Sequence, residues 1–350
     1  MKRNILSLLL VILAASFQVS AQNFLTQVKP KDSRLWGYAN QKGELVIPAR
    51  FEKCYPFSSA GLAPIYDTRE RQYYFINVKG EKLTTEVTSF KLQDGFADVE
   101  SFTNGLIQVK IGEKWGYLDK GGKIGIPAKY ESTTSFDDGL AIAKVSGNYV
   151  VIDTKGTEKT VVGTGITEIR QFSEKLAPFR GADRKYGFIG ADGKIAIPGQ
   201  FESVGYFKNG LAWAKTPERL LGYINPKGDW VIQPQFDAGH DFDAESGLAR
   251  VKKGPKWMYV NKSGVTSEVS ISETFGDFSE GLAEGKIREK RGYYNAKGDW
   301  VIEPKFEGTR NFKNGFAAAR EGGKWGMINK QGKWVIEPVF EGIKDMESIR

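Results

Sequence analysis

The chain repeats itself, and this constrains its fold more than anything else in its 350 residues. Three stretches show the unit plainly. Residues 106–131 read LIQVKIGEKWGYLDKGGKIGIPAKYE, 211–237 read LAWAKTPERLLGYINPKGDWVIQPQFD, and 316–341 read FAAAREGGKWGMINKQGKWVIEPVFE. Aligned on the glycine of a Trp-Gly pair or its replacement, one column runs Gly37, Phe75, Gly116, Val150, Gly187, Gly222, Met258, Gly292 and Gly326. The spacings of 38, 41, 34, 37, 35, 36, 34 and 34 define nine units. A period in this range marks a stacked array in which no unit buries its apolar face alone.

Each unit reads as three short strands. Strand A is Leu-Ala-x-Val-x, as in Leu140-Ala141-Ile142-Ala143; strand B starts at the Trp-Gly, as in Trp115-Gly116-Tyr117-Leu118; strand C is the Val-Ile run, as in Trp230-Val231-Ile232. Between B and C stands Asx-x-x-Gly, at Asn40–Gly43, Asp119–Gly122, Asn225–Gly228, Asn295–Gly298 and Asn329–Gly332. An Asx side chain bonds the turn backbone and Gly supplies a positive φ, which is hairpin chemistry. Most copies carry Asn among apolar or basic neighbours, too few oxygen ligands for a calcium loop. Pro48, Pro127, Pro198, Pro234, Pro304 and Pro338 are expected to end strand C, because Pro cannot donate to a ladder. Two aromatics bracket the step to the next unit, for example Tyr130 and Phe136. The first strand A starts in phase at Phe24 and the chain stops just after the last strand C, with no strand left to close a ring. The expected fold is therefore all-β: tandem three-stranded antiparallel meanders in an open solenoid or superhelix, with a closed β-propeller as the alternative.

These markers, Lys114-Trp115-Gly116-Tyr117 and Lys324-Trp325-Gly326 followed by Asx-x-x-Gly, Val-Ile-x-Pro and Phe-x-x-Gly-Leu-Ala, resemble the bacterial WG (KWG) β-repeat proteins. The resemblance spans essentially residues 23–350. It implies a binding or scaffolding module and no particular chemistry. Units 2, 4 and 7 depart from the pattern, lacking the Trp-Gly pair and the Pro-x-Phe segment.

The N-terminus reads as an export signal. Lys2 and Arg3 precede an apolar run from Ile5 to Ala15, and Val19-Ser20-Ala21 is a small-residue cleavage site. The domain reading is thus a signal peptide at 1–21 and one array of nine repeats at 22–350. The run is short for a membrane span, and no later segment approaches one. The location implied is periplasmic, cell-surface or secreted. Cleavage would take the formal charge from +8 to +6, mildly basic for the size. Cys54 is the only cysteine, so stability rests on packing rather than on an internal disulfide.

Catalytic constellations are scarce. With one histidine, His240, and one cysteine, Cys54, a Ser-His-Asp or Cys-His arrangement or a histidine-rich metal site is hard to build. His240 reads as a solvated loop residue. No catalytic residue, metal ligand or cofactor is assigned. The Trp-Gly tryptophans (Trp36, Trp115, Trp257, Trp325) and the strand C tryptophans (Trp230, Trp300, Trp334) fall in core-like columns.

Candidate binding residues lie in strand A. Its third position holds Pro64, Gln108, Ile142, Pro178, Trp213, Arg250, Glu284 and Ala318, a mixture expected to face solvent. Its fifth position is basic in seven of eight units: Lys110, Lys144, Arg180, Lys215, Lys252, Lys286 and Arg320. Alternation places it on the same face. The candidate ligand-binding set is Trp213, Lys215, Arg250, Lys252, Lys286 and Arg320. The partner is expected to be a protein or an anionic or glycan polymer of the cell envelope; the export signal argues against nucleic acid. An acidic column (Glu52, Glu131, Glu202, Asp237, Glu307, Glu341) offers a competing use for the bases, as a surface ladder. Two further readings are a carbohydrate-active enzyme using surface carboxylates and a structural spacer.

Overall fold

The computed structural model describes residues 23–93 and 101–349; the signal sequence expected at 1–21 lies outside them. The described residues form nine sheets, one per repeat. Numbered by their B strands, blades 1 to 9 centre on Trp36–Asn40, Gln72–Asn77, Lys114–Asp119, Asn148–Asp153, Tyr186–Gly190, Leu221–Ile224, Lys256–Asn261, Lys290–Asn295 and Lys324–Asn329. Most sheets have four strands rather than the three read from sequence. In blade 4 the order is Ser132–Thr133, Leu140–Val145, Asn148–Asp153, Glu158–Thr160, every neighbour antiparallel. The added strand is only two residues long in six sheets, and it directly follows strand C of the preceding unit.

The array is a closed nine-bladed β-propeller, which corrects the open solenoid expected from sequence. Asn23–Lys29 pairs on one edge with Trp36–Asn40 and on the other with Gly342–Ile343 and Glu347–Ile349. The Thr26 hydroxyl donates to the carbonyl of Lys344 at 2.8 Å. One apolar cluster joins Val28 and Ala39 to Ala318, Met327, Ile336, Phe340, Ile343 and Met346. The strand that closes the ring is the short one, supplied to the first sheet by the last repeat. Closure joins the two ends of the array, whose sheet edges would otherwise stay open.

The Trp-Gly glycine is required by strand C. In six blades strand C has seven residues, as in Ile124–Tyr130 and Trp334–Phe340, and shifts register twice against strand B. The shift folds its backbone onto the glycine. A Cβ on Gly116 would lie 2.6 Å from the Ile126 carbonyl oxygen, and one on Gly326 would lie 2.4 Å from that of Ile336. Pro127, Pro304 and Pro338 sit within this irregularity in mid-strand and do not end the strand, because a bulge tolerates a missing donor. Blades 4 and 7 have Val150 and Met258 in the column, and their C strands shrink to Glu158–Thr160 and Thr266–Ser267. In blade 2 the column residue is Tyr74, not Phe75, because Asn77 opens its B–C turn as Asn40 does in blade 1. There the chain leaves after Leu83 and returns at Phe90, which stacks on Phe75 at 5.4 Å. A cavity of about 370 Å³ lies in the gap, lined by Tyr74, Thr84, Thr85 and Thr88 among others.

Neighbouring blades are pinned by the residue after the Gly column, whether Gly or Met258 fills it. Tyr38, Tyr117, Tyr223, Tyr259 and Tyr293 are buried, and each donates its hydroxyl to a carbonyl 17 residues on, in the next blade. Burial pushes all five phenols above their ordinary range. The second bracketing aromatic packs on the same ring, as in Tyr117–Phe136 and Tyr223–Phe242, both at 4.8 Å. The tryptophans are half-buried rather than core, and their strand C column is exposed where it holds Leu45 or Ile195. Among the described residues no helix is long and apolar enough to cross a membrane.

Candidate binding site on blades 6 to 9

In several blades the short strand leads into strand A through a tight turn. In blade 6 Lys208 and Leu211 exchange backbone bonds across Asn209 (φ 55°) and Gly210 (φ 80°), the two-residue hairpin geometry that demands Asn-Gly. These turns grip one another around the ring. The Gly210 amide donates to Glu174, Gly315 to Glu280, and Glu280 and Gly281 both to Asp243. The Asn209 side chain donates to the Phe242 carbonyl at 2.7 Å.

Where blades 6 to 9 meet, these turns surround a cavity of about 540 Å³. Blade 6 contributes Lys208, Asn209 and Trp213; blade 7 contributes His240, Asp241, Phe242 and Asp243; blade 8 contributes Asp277, Phe278, Ser279 and Glu280; blade 9 contributes Asn311. Trp213 is half-buried, lying against Gly205 and the core beneath blade 7. The lining is acidic, yet every carboxylate is engaged. Asp241 meets Lys208 at 2.8 Å. Burial alone would raise Asp243, but amides of Ser246, Gly281 and Glu280 outweigh it and hold the carboxyl below its usual range. Asp277 takes two partners from blade 7: the His240 imidazole at 2.9 Å and the Arg250 guanidinium at 2.8 Å. Glu280 accepts the Gly315 amide and lies 3.7 Å from Lys330.

The candidate residues from strand A separate here. Trp213 lines the cavity, and Arg250 stands behind its wall. The third position does not face water. It faces the next blade, because in a ring both sheet faces are covered. Gln108 is 6% exposed and accepts from Thr133; Arg250 donates to the Phe275 carbonyl; Glu284 accepts from Thr309. Lys215, Lys252, Lys286 and Arg320 lie outside the cavity lining. Lys286 pairs with Glu289 at 2.6 Å, Lys215 donates to the Asp237 carbonyl, and Arg320 stands 4.0 Å from Glu307. Lys252 is half-buried, its carbonyl accepting the Asp237 amide. The acidic column serves the A–B turns, where Glu131, Asp237 and Glu307 accept the amides of Gly147, Gly254 and Gly323.

Sequence reading missed His240 as a paired residue, since Asp277 lies in the next repeat. A signal existed in the residue before the second aromatic, which is Asp241, Asp277 and Asn311 in successive units, with Asp345 before Met346 in the equivalent place. Three of these line the cavity. Among the described residues no cluster of three or more His, Cys, Asp or Glu could hold a metal ion.

No curated protein matches the chain in sequence. Among solved structures, a eukaryotic initiation factor is similar at a TM-score of 0.59 and 10% identity, over 93% of this chain and 98% of that one. At that identity the likeness is one of fold. The computationally designed Ika8 protein (TM-score 0.44, 10% identity, 78% and 92% covered) and BamB from Moraxella catarrhalis (0.38, 10%, 80% and 94%) are more distant in shape. The model of the WG containing repeat matches residues 36–66, 95–115, 115–149, 186–216, 222–257, 292–325 and 325–348, more than half of the chain. The chain belongs to the WG-repeat family.

Proposed function

We propose that this is an exported, noncatalytic binding or scaffold protein of the cell envelope that seats a protein partner in the cavity on blades 6 to 9. The carrying observation is the cavity itself: four blades converge on about 540 Å³ with the half-buried Trp213 in its wall. A large aromatic at the edge of a concave site is a common anchor for a partner. The noncatalytic reading is supported by the carboxylates, which are bound to amides and cations rather than poised as an acid and base. Cys54 and His240 stand in blades 2 and 7. The signal at 1–21, the single array at 22–350 and the extracytoplasmic location belong to this proposal and rest on the N-terminal residue pattern.

A stripe for an anionic polymer is less well supported, because most of the fifth-position bases serve their own blades. Capture of partners from solubilised envelope separates the two readings. Trp213→Ala is expected to lose the captured protein, whereas the triple reversal of Lys215, Lys252 and Lys286 to Glu is expected to retain it. Loss in the triple variant alone would move the site to the basic column, and no loss in either would contradict both readings.

A further inference from the structure

Blade 2 ends its strand C early. In blade 4, which also lacks the column glycine, Glu158 faces Ile152 and the register runs on regularly to Thr160 opposite Val150. Val161 then donates its amide to the Tyr149 carbonyl at 3.0 Å. In blade 2 Lys82 faces Ile76 in the same way, and Leu83 donates to the Phe75 carbonyl at 2.8 Å. Among the described residues strand C pairs no further there, so it stops two residues sooner: Leu83 is the first past Lys82, whereas Val161 is the third past Glu158. The chain crosses instead to blade 3, where the Glu86 amide donates to the Gly122 carbonyl and the Glu86 carboxylate accepts the Ile124 amide, both at 2.8 Å. Thr84 lies so close that a Cβ on Gly122 would stand 2.3 Å from its carbonyl oxygen. The crossing is thus clamped to blade 3, and the gap of about 370 Å³ between it and strand B stays open where blade 4 has the end of strand C.

The two ends of this gap differ in charge. Where the chain leaves, the Lys82 ammonium reaches back over the Tyr74 ring at 4.9 Å. At the A–B turn the lining is Asp67 and Glu70, with Arg69 and Arg71 outside it. Asp67 is committed to the amides of Arg69 and Glu70 at 2.9 and 3.0 Å, whereas the Glu70 and Lys82 side chains are exposed. Aromatic and β-branched walls such as Tyr74, Thr85 and Phe90 suit a strand. We propose that the gap is a seat for an extended segment of a partner protein, which joins strand B as the missing end of strand C. An added strand gains main-chain bonds along the edge it joins, and the groups around it select its sequence. The seat runs along Gln72 to Tyr74, so about three residues fit beside it at the matching rise of two paired strands. Following the course of strand C, the segment enters beside Lys82 and leaves beside Glu70. Its leading residue is therefore acidic and its trailing residue basic. A side chain in the glycine column does not hinder such a strand, since Val150 pairs in register where blade 2 has Tyr74.

Fluorescence anisotropy with labelled pentapeptides, blocked at both termini, tests this on the full chain. Glu-Thr-Val-Thr-Lys is expected to bind roughly three- to tenfold more tightly than Lys-Thr-Val-Thr-Glu, the range that two exposed ion pairs give. Exchanging the charges of the seat, Glu70→Lys with Lys82→Glu, is expected to reverse that order. Both side chains are exposed, so the fold is retained. Glu-Pro-Pro-Pro-Lys keeps the charges and is expected to lose binding, because proline cannot donate to a ladder. No saturable binding of either Thr-Val-Thr peptide, equal binding of both, an unchanged order in the double variant, or full binding of the proline peptide would each overturn the proposal. Concentration-dependent dimers in sedimentation, abolished by the double variant, would give the seat to a second copy of the chain and overturn it likewise. Neither substitution touches the cavity on blades 6 to 9, so this test and the Trp213→Ala test fail separately.

Discussion

Blades 3 and 4 are neighbours built on the same plan, and they differ where it is most instructive. Blade 3 has Gly116 in strand B and a seven-residue strand C that folds its backbone onto that glycine. Blade 4 has Val150 there and a three-residue strand C that pairs in regular register. The side chain and the bulge exclude each other, since both need the same space. The Trp-Gly signature is thus one half of a two-part device whose other half is the Ile-x-Pro region of strand C. Where one half is lost the other goes too, as in blades 2, 4 and 7. Blade 4 compensates in a different way: Glu158 reaches back to blade 3, accepting from Tyr130 at 2.9 Å and pairing with Lys129 at 2.7 Å.

The largest effect should come from breaking the device. Gly116→Ala drives a Cβ into backbone atoms and is expected to cost about 3 kcal/mol, the upper part of the usual overpacking range. Val150→Ala in the neighbouring blade removes two methyl groups from a buried site and is expected to cost about 1.5 kcal/mol. Urea unfolding of both variants checks the order, and a harmless Gly116→Ala would refute the steric account. Tyr117→Phe deletes the hydroxyl that pins blade 3 to blade 4 and leaves the Thr134 carbonyl short of a partner. Its expected cost is about 1–2 kcal/mol, again read by urea unfolding; a neutral result would mean that the ring packing alone holds the blades.

The smallest effect sharpens the role of Glu158. The Lys129 ammonium holds its carboxyl below the usual range, against a small opposing effect of burial, and the Tyr130 hydroxyl adds to this. A folded pKa below the unfolded one gives stability that is present above the ordinary carboxylate range and is lost as pH falls through the folded value. Glu158→Gln should therefore lower the melting temperature slightly at neutral pH, with the difference from the wild type closing on the acid limb as pH falls through the carboxylate range. A profile matching the wild type throughout would show that the link to blade 3 contributes nothing.

Strands A, B and C are legible because local chemistry writes them: Asx-x-x-Gly at one turn, alternation around it, and paired aromatics at the step between units. The short strand is not, because two residues such as Ser132-Thr133 carry no period and pair only across a long connection. Closure escapes for the same reason, since Gly342–Ile343 looks like a tail until it is set beside Val28 and Lys29. Trp213 stands out in a column that lies between blades, so it reaches the cavity by facing its neighbour and not by facing open solvent. His240 and Asp277 become a pair only when repeats 7 and 8 are laid side by side in space.

Ring closure is the claim on which the remaining geometry depends, and a single covalent trap tests it. A Cβ built on Gly342 would lie 3.6 Å from that of Lys29, within the usual span of a disulfide. In a Cys54→Ser background, Lys29→Cys combined with Gly342→Cys should oxidise within one molecule. Mass spectrometry should then find the peptide from the first strand linked to that from the last repeat, in a monomer at low protein concentration. Recovery of both thiols free, or linkage only between molecules, would contradict the closed ring.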